Sequence, residues 1–426
     1  MAERVSPRNR IQWGLLAFLG ALLVTCTPPE SPVVGPSPVP SPSALAPEVR
    51  IGIVIGAPRV ELAGDSGLAV LDADSAAVGA VPAAVAWTVR PDGPRVAGGG
   101  QSGWRLNDQV ALTFVPAAAR GLVSVNGRPY RGRMTVIRDR TGVTVINTVG
   151  LEDYLSGVVP AEMGRRDPSE AEALAAQAII SRTFAIRNLG KRAGEGFDLY
   201  ATVVDQVYGG VTAENTLTTG AVQRTTGQVL TWQGSPIDAF FFSTCGGRTA
   251  EGTEVYVGAN RPYLKSIRDL DDSGQPWCRI SPRYQWREEW SAEQLRGVLR
   301  QSLPVATGTP AEEAGTVNGV SVATRTGSDR VAAVTVQLRR GPVDVRGPAV
   351  RQVLHPPGEP LLRSAFFRLT EVRTDGRLQR LIADGNGAGH GVGFCQWGAV
   401  GRARGGQDAL TILTAYFPGT TVSRAY

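Results

Sequence analysis

The sequence predicts an α+β protein: a β-rich N-terminal part, then a mixed core around a buried Ala-rich helix. Two observations carry this. From Val49 to about Gly150 the chain is a succession of short apolar runs broken by turn residues, and Gly (52) and Pro (29) are abundant throughout. That pattern suits strands and turns better than long helices. By contrast, residues 171–187 are apolar most of the way round a helical projection, as in a helix enclosed on all sides. With 426 residues, 42% of them hydrophobic and 19% charged, the chain is long enough for two domains or for one large domain with subdomains.

Taken in order, the chain begins with Arg4, Arg8 and Arg10, followed by the apolar run Ile11 to Thr25. A spanning helix needs about 20 apolar residues. This run is shorter and has the charge order of a secretory signal. It ends in Leu23-Val24-Thr25-Cys26, which resembles a bacterial lipobox. Residues 1–26 are therefore expected as a lipoprotein-type signal peptide, with Cys26 lipidated and the membrane a partner through that anchor. Residues 27–47 are rich in Pro and Ser and read as an extended, semi-rigid tether. The folded part is expected from Glu48, outside the cytoplasm. The net charge of +6 is spread along the chain and partly belongs to the leader. No basic run with interleaved aromatics marks a nucleic-acid surface.

Residues 48–120 form the expected β-rich lead-in, starting with a buried strand over 49–56. A hairpin follows, pairing 133–138 with 143–147 across Asp139-Arg140-Thr141-Gly142. Residues 121–426 are expected as one core. Leu151 to Leu155 reads as a short helix leading into Val158-Val159-Pro160-Ala161-Glu162-Met163. Ser169 with Glu172 gives a capping box for the Ala-rich helix. Arg182 falls well inside that helix, where a buried guanidinium needs an anionic or hydrogen-bonding partner. Residues 237–243 read as a buried strand running into a Gly-Gly turn. A second hairpin joins 317–326 to 331–338, residues 347–354 form a short helix, and residues 408–416 form a last helix stopped by Phe417-Pro418-Gly419-Thr420.

Near the C-terminus, Gly387-Ala388-Gly389-His390-Gly391-Val392-Gly393-Phe394-Cys395-Gln396-Trp397 sets glycines at alternate positions beside His, Cys, Gln and Trp. Glycine there suits backbone that bends sharply or approaches another group closely. With Cys26 used as an anchor, Cys245, Cys278 and Cys395 remain. Three cysteines in an oxidising space mean one disulfide plus a free thiol, or a shared metal site.

Several stretches together resemble the SpoIID/LytB family, that of stage II sporulation protein D and the amidase enhancers. They are Leu151-Glu152-Asp153-Tyr154-Leu155, Val159-Pro160-Ala161-Glu162-Met163, residues 172–178 with Ser181-Arg182-Thr183-Phe184, and Asp205-Gln206-Val207-Tyr208-Gly209-Gly210. Further on come Ser243-Thr244-Cys245-Gly246-Gly247-Arg248-Thr249, Arg261-Pro262-Tyr263-Leu264, the 389–393 stretch and Tyr416-Phe417-Pro418-Gly419-Thr420. They occur in family order over residues 120–426.

The resemblance implies a peptidoglycan-acting cell-envelope protein, a lytic transglycosylase cutting glycan strands with Glu162 as general acid and base, and Arg182 in the same cleft. The alternative is a non-enzymatic enhancer that helps a cell-wall amidase engage peptidoglycan. A third reading, a scaffold whose cleft has decayed, fits the intact motif set poorly. Tyr208, Ser243, Thr244, Tyr263, His390, Gln396 and Trp397 are residue types that line sugar clefts. A second acid, if one faced inward, would be Glu152, Asp153 or Asp205. Arg165 and Arg166 are expected to face solvent, since either would oppose protonation of Glu162.

No cofactor is required by this chemistry. A zinc held by Cys245, Cys278, His390 and Cys395 is possible, as some family members hold zinc near the cleft. The family's His before the Ser-Thr pair is Phe242 here, and a disulfide among the cysteines is placed ahead of the metal.

Overall fold

The computed structural model describes residues 45–100 and 105–426. The expected signal peptide, Cys26 and the tether up to residue 44 lie outside the described residues. No helix among the described residues is long and apolar enough to cross a membrane.

The α+β expectation holds. A seven-stranded sheet orders its strands as Leu199–Tyr200, Glu48–Ala57, Val143–Gly150, Arg133–Arg138, Ala111–Pro116, Leu68–Leu71 and Ala77–Val81. The 133–138 and 143–150 strands pair as the expected hairpin, with Arg138 opposite Val143. A six-stranded sheet (Arg128–Tyr130, Val123–Val125, Val60–Gly64, Ala86–Asp92, Arg95–Gly100, Arg105–Gln109) packs on it. Trp87 of one sheet meets Phe114 of the other edge-on, with ring centroids 6.2 Å apart. The boundary expected at 120/121 does not divide the fold. Strand 111–116 pairs with 133–138, and 48–57 with 143–150, so the lead-in and the core share one set of buried side chains.

Helix α1, Leu151–Met163, starts directly where the 143–150 strand ends. It is longer than the short helix expected. Pro160 lies in its last turn, where a missing N–H removes one bond without ending a helix that is buried along most of its length. Helix α2, Ala171–Arg187, matches its expected span. Its cap differs: Asp167 and Glu170 form the capping box, on a 3-10 turn at Pro168–Glu170 that feeds α2. The alanines leave room for close approach, and α2 packs against α1 and helix α3, Thr216–Arg224.

The expected strand over 237–243 is largely absent as regular structure. Only Phe241–Phe242 pairs, in parallel with Phe394–Cys395. Between those two pieces, residues 285–386 form a second assembly. It holds two three-stranded sheets (Gln285–Ser291, Arg377–Asn386, Phe367–Thr374; and Gly319–Arg325, Val331–Leu338, Gly341–Arg346). Helices α4 (Ala292–Thr307), α5 (Ala311–Ala314) and α6 (Ala349–Val353) complete it. Its core is separate: Trp290, Leu295, Leu299, Val334, Val336 and Leu381 cluster apart from the main core. The 121–426 stretch thus carries a main core and an insertion with a core of its own. The chain then returns as helix α7, Gln396–Arg404, and helix α8, Ala409–Tyr416, both packed on α2.

One ion pair fixes α1 on α2. Arg182, fully buried, donates Nε and Nη2 to the two oxygens of Glu152 at 2.8 and 2.7 Å. Its Nη1 also donates to the Gln228 carbonyl at 3.1 Å. Removing one partner of such a pair strands a buried charge and costs about 3–5 kcal/mol. Glu152→Gln is accordingly expected to lower unfolding stability by about that amount in denaturant titrations. Burial works to raise the Glu152 pKa, but the Arg182 hydrogen bonds and charge hold it below its usual value. This contribution is therefore present above the unfolded carboxylate pKa and is lost as pH falls through the lowered folded value.

Candidate functional site

Glu162 occupies the last turn of α1. Its Oε1 accepts the Val207 amide at 2.7 Å, and its Oε2 lies 3.5 Å from Nε2 of Gln396, the first residue of α7. The Gln396 amide also reaches Oε1 of Gln177 on α2 at 3.4 Å, and Gln177 donates to the Ser181 hydroxyl at 3.0 Å. Burial pushes the Glu162 carboxyl above its ordinary value, and the two amide donors partly oppose it. The C-terminal end of a helix carries partial negative charge, which acts in the same direction as burial. Burial favours the protonated form, and the two amides are donors suited to the carboxylate left when a proton departs.

The Asp205–Gly210 stretch is positioned by close packing on α1. The Gly209 amide donates to the Gly157 carbonyl at 3.1 Å, and a Cβ on Gly209 would overlap that of Ala213. This seats the neighbouring Val207 amide on Glu162.

The three acids considered as second carboxylates have other surroundings. Glu152 is engaged by Arg182 and by the Tyr426 hydroxyl. Asp205 is buried and bonded to Arg192 at 2.9 Å and to the Tyr200 amide at 2.9 Å. Asp153, near the opposite end of α1 from Glu162, lies 3.9 Å from Arg131.

Of the expected site residues, the structure brings Gln396 to Glu162, with Trp397 next to it in the chain. Ser243 joins them through its carbonyl, which accepts the Trp397 amide at 3.0 Å. Arg182 is not brought there. It holds Glu152, ten residues from Glu162, about 15 Å along the helix at 1.5 Å per residue. Tyr208 is buried against Tyr130 and Tyr154, with its hydroxyl on Asn147. The Tyr263 hydroxyl accepts the Asp238 amide. Thr244 is buried and bonded to Ser281. These three serve the interior. Arg166, expected in solvent with Arg165, instead lies over the Trp397 ring at 4.3 Å, and its side chain is only 10% exposed. Its Nε is the buried side-chain nitrogen or oxygen left without a hydrogen-bond partner among the described residues. Two surface depressions, of 640 and 520 Å³, lie elsewhere, one on the insertion and one beside α8.

The glycine-rich stretch makes close approaches, but to the chain's own backbone. Gly387 and Gly393 have positive φ (75° and 78°), and a Cβ on either would overlap the Thr244 or Phe240 carbonyl. The stretch thereby lies along residues 240–244. His390 turns into an aromatic nest of Phe240, Phe242 and Tyr256. Its Nδ1 accepts the Val392 amide at 3.1 Å, so Nε2 carries the proton and donates to the Phe241 carbonyl at 2.8 Å. Burial lowers its pKa to about 4. With both nitrogens engaged by backbone, His390 has no free ring nitrogen to offer a metal.

Cys395 does sit beside Cys245, whose amide donates to its Sγ at 3.1 Å. The expected disulfide is not what the structure holds. Cys245, Cys278 and Cys395 are all free thiols, with Cys245 and Cys278 sulfurs 3.5 Å apart, and Asp269 stands in the place expected for His390. Asp269, Gln177 and Arg166 are the site residues that sequence reasoning missed. The stretch Ile267-Arg268-Asp269-Leu270 carries no local signal for its role.

The fold and site define an α+β protein with a half-buried acid of raised pKa at a helix end, faced by the Val207 amide and by the Gln396 side chain that opens α7. The sequence profile described as "Stage II sporulation protein" matches residues 139–232, which include α1, α2 and Glu162. A second, described as a domain of unknown function, matches 278–393, the insertion. Stage II sporulation protein D of Bacillus subtilis is 31% identical over 334 residues, covering 75% of this chain and 86% of that protein. An uncharacterized protein of Brachyspira hyodysenteriae is 31% identical over 300 residues, covering 70% and 73%. The amidase enhancer of Bacillus subtilis is 28% identical over 294 residues, covering 63% and 40%. The chain belongs to the SpoIID/LytB family.

Removing the Gln396 donor takes away a group that favours the charged form of Glu162. In Gln396→Leu, the Glu162 carboxyl is expected to titrate at a higher pH than in the parent, as read by carboxyl-carbon NMR. An unchanged titration would mean that Gln396 does not face this acid in solution.

Proposed function

We propose that this protein acts on the bacterial cell wall outside the cytoplasm, as a lytic transglycosylase cleaving peptidoglycan glycan strands with Glu162 as general acid and base. One observation carries the reading: a half-buried carboxyl with a raised pKa, held by two amides and, among the described residues, with no second acid engaged on it. Membership of a family that includes stage II sporulation protein D and an amidase enhancer supports it.

Protonated Glu162 gives its proton to the glycosidic oxygen, and the bond from that oxygen to C1 of the muramic sugar breaks. Positive charge develops at C1. The Glu162 carboxylate, now stabilised by the Val207 and Gln396 amides, takes the proton from the same sugar's 6-hydroxyl. O6 bonds to C1 and closes a 1,6-anhydro ring. The glycosidic oxygen leaves as a hydroxyl on the other fragment, no water is consumed, and Glu162 ends protonated. Hydrolases with paired carboxylates need a second acid to activate water or to act as nucleophile; this cycle does not, and no cofactor is a reactant in it.

The decisive experiment incubates the full chain with glycan strands freed of stem peptides and resolves the products by mass. Anhydro-muramic ends are expected. Glu162→Gln is expected to reduce them by about 10²–10⁴-fold, the usual contribution of general acid–base catalysis. No product from the parent, or equal product from the variant, would sink the catalytic reading. The second reading, an amidase enhancer, is favoured by the relative of that name. Enhancement of a cell-wall amidase that survives Glu162→Gln would support it.

Because the acid works protonated, activity is expected to persist above pH 4.5, the ordinary glutamate value, and to fall as pH rises through the raised Glu162 value. A pH–rate profile declining around the value of a solvated carboxylate would contradict that assignment.

Arg166 extends the proposal to the substrate's state. A muramic sugar without a stem peptide bears a free lactyl carboxylate, and the half-buried Arg166 guanidinium lies over Trp397 with its Nε 4.0 Å from Glu170. Arg166→Gln is expected to erase a preference for stripped over peptide-bearing strands, measured as the ratio of kcat/KM on the two.

A further inference from the structure

Cys245, Asp269, Cys278 and Cys395 come from four separate stretches of chain and meet in the interior. All four are buried, and one donor atom from each lies within 4.8 Å of the others. The Cys245 sulfur is 3.5 Å from that of Cys278 and 3.3 Å from Oδ2 of Asp269. A tetrahedral ion with metal–sulfur bonds of about 2.3 Å has sulfur–sulfur edges of roughly 3.8 Å. The two Cys245 edges are slightly shorter than that and the remaining ones lie within 4.8 Å, a spacing that a tetrahedral shell can take up with small shifts.

The donors are surrounded by polar groups despite their burial. Backbone amides point at sulfur three times: Cys245 and Gly398 onto Cys395 at 3.1 and 3.2 Å, and Gly247 onto Cys245 at 3.3 Å. Amide donors of this kind support a sulfur once it is bound to metal. Asp269 is oriented by partners of the kind that surround metal carboxylates. Arg402 donates to its Oδ1 at 3.0 and 2.9 Å, and the Tyr416 hydroxyl to its Oδ2 at 2.8 Å. Charge also balances. Three thiolates and a carboxylate are four negative charges, and a divalent ion leaves two. The buried guanidiniums of Arg402 and Arg330, the latter bonded to the Cys245 carbonyl, supply two positive ones.

We propose that Cys245, Cys278, Cys395 and Asp269 form a closed structural zinc site that clamps both ends of the 278–393 insertion to the main core. Cys278 stands at the entry to the insertion and Cys395 just beyond its exit. Cys245 and Asp269 belong to the core segment before it. A thiolate-rich tetrahedral set with no free position suits zinc rather than magnesium or calcium, and a structural rather than a catalytic role. Cys395 immediately precedes Gln396, so the clamp also sets the amide that faces Glu162. The site does not depend on the glycan reading, since it is read by metal content alone.

The test is elemental analysis of the full-length protein purified without chelator or reductant. One zinc per chain is expected, retained through dialysis. Cys278→Ser and Asp269→Asn are expected to lose zinc, and His390→Gln to keep it. Because a cysteine variant could fail to fold, wild-type protein exchanged into cobalt provides a second readout. Tetrahedral d–d bands with thiolate-to-metal charge transfer are expected. Stripping the zinc is expected to speed protease cutting at the two ends of the insertion. Wild-type protein without zinc, whose Cys245 and Cys278 peptides are recovered linked before reduction, would overturn the proposal in favour of a disulfide. Full zinc occupancy in folded Cys278→Ser would overturn it as well.

Discussion

The buried pair of Arg182 and Glu152 ties together the two helices on which the candidate site depends. A guanidinium with no solvent exposure is tolerable only when its donors are met, and Glu152 takes two of them in a bidentate grip. The grip sets the start of α1 against the middle of α2. Because α1 is rigid and follows directly from the 143–150 strand, its other end is set too, and Glu162 is at that end. Arg182 therefore serves the site from a distance. The alanines of α2 complete the constraint by letting α1, α3, α7 and α8 all reach its surface.

The second constraint is the neck of the insertion. A segment of about a hundred residues with its own hydrophobic core leaves the main body after Cys278 and re-enters at Phe394–Cys395. Such an insertion could pivot if held only by chain connectivity. Here the returning strand pairs in parallel with Phe241–Phe242, and the glycine-rich stretch lies along 240–244 so closely that side chains would not fit. The sulfur cluster lies at the same place. The glycine-rich loop is thus mainly a seam between two parts of the protein. Its contribution to the acid is made by a residue just past it, Gln396.

Much of the fold was legible because it is written in local pattern. The 133–138/143–150 hairpin, the span of α2 and the last helix all follow from periodicity and turn residues. The cap of α2 moved by two residues because Asp167 competes for the same role as Ser169 and its 3-10 turn is fixed by Pro168. The 237–243 run misled because it is apolar for a different reason: it is buried as irregular chain against the glycine stretch. Tyr208 and Tyr263 were typed as sugar contacts by their chemistry, but their hydroxyls are spent on Asn147 and the Asp238 amide.

The sequence by itself determined the family, the α+β class and the central helix, since each is carried by runs of residues close together in the chain. Tertiary structure alone decided which distant groups meet. It took His390 away from the cysteines by giving both its nitrogens backbone partners, and put Asp269 among them instead. It moved Arg182 off the acid and Arg166 onto Trp397. Separation along a chain says nothing about separation in space once an insertion of this length intervenes. Burial, which decides whether a carboxyl holds its proton or a thiol can ligate, exists only after the chain has closed around them.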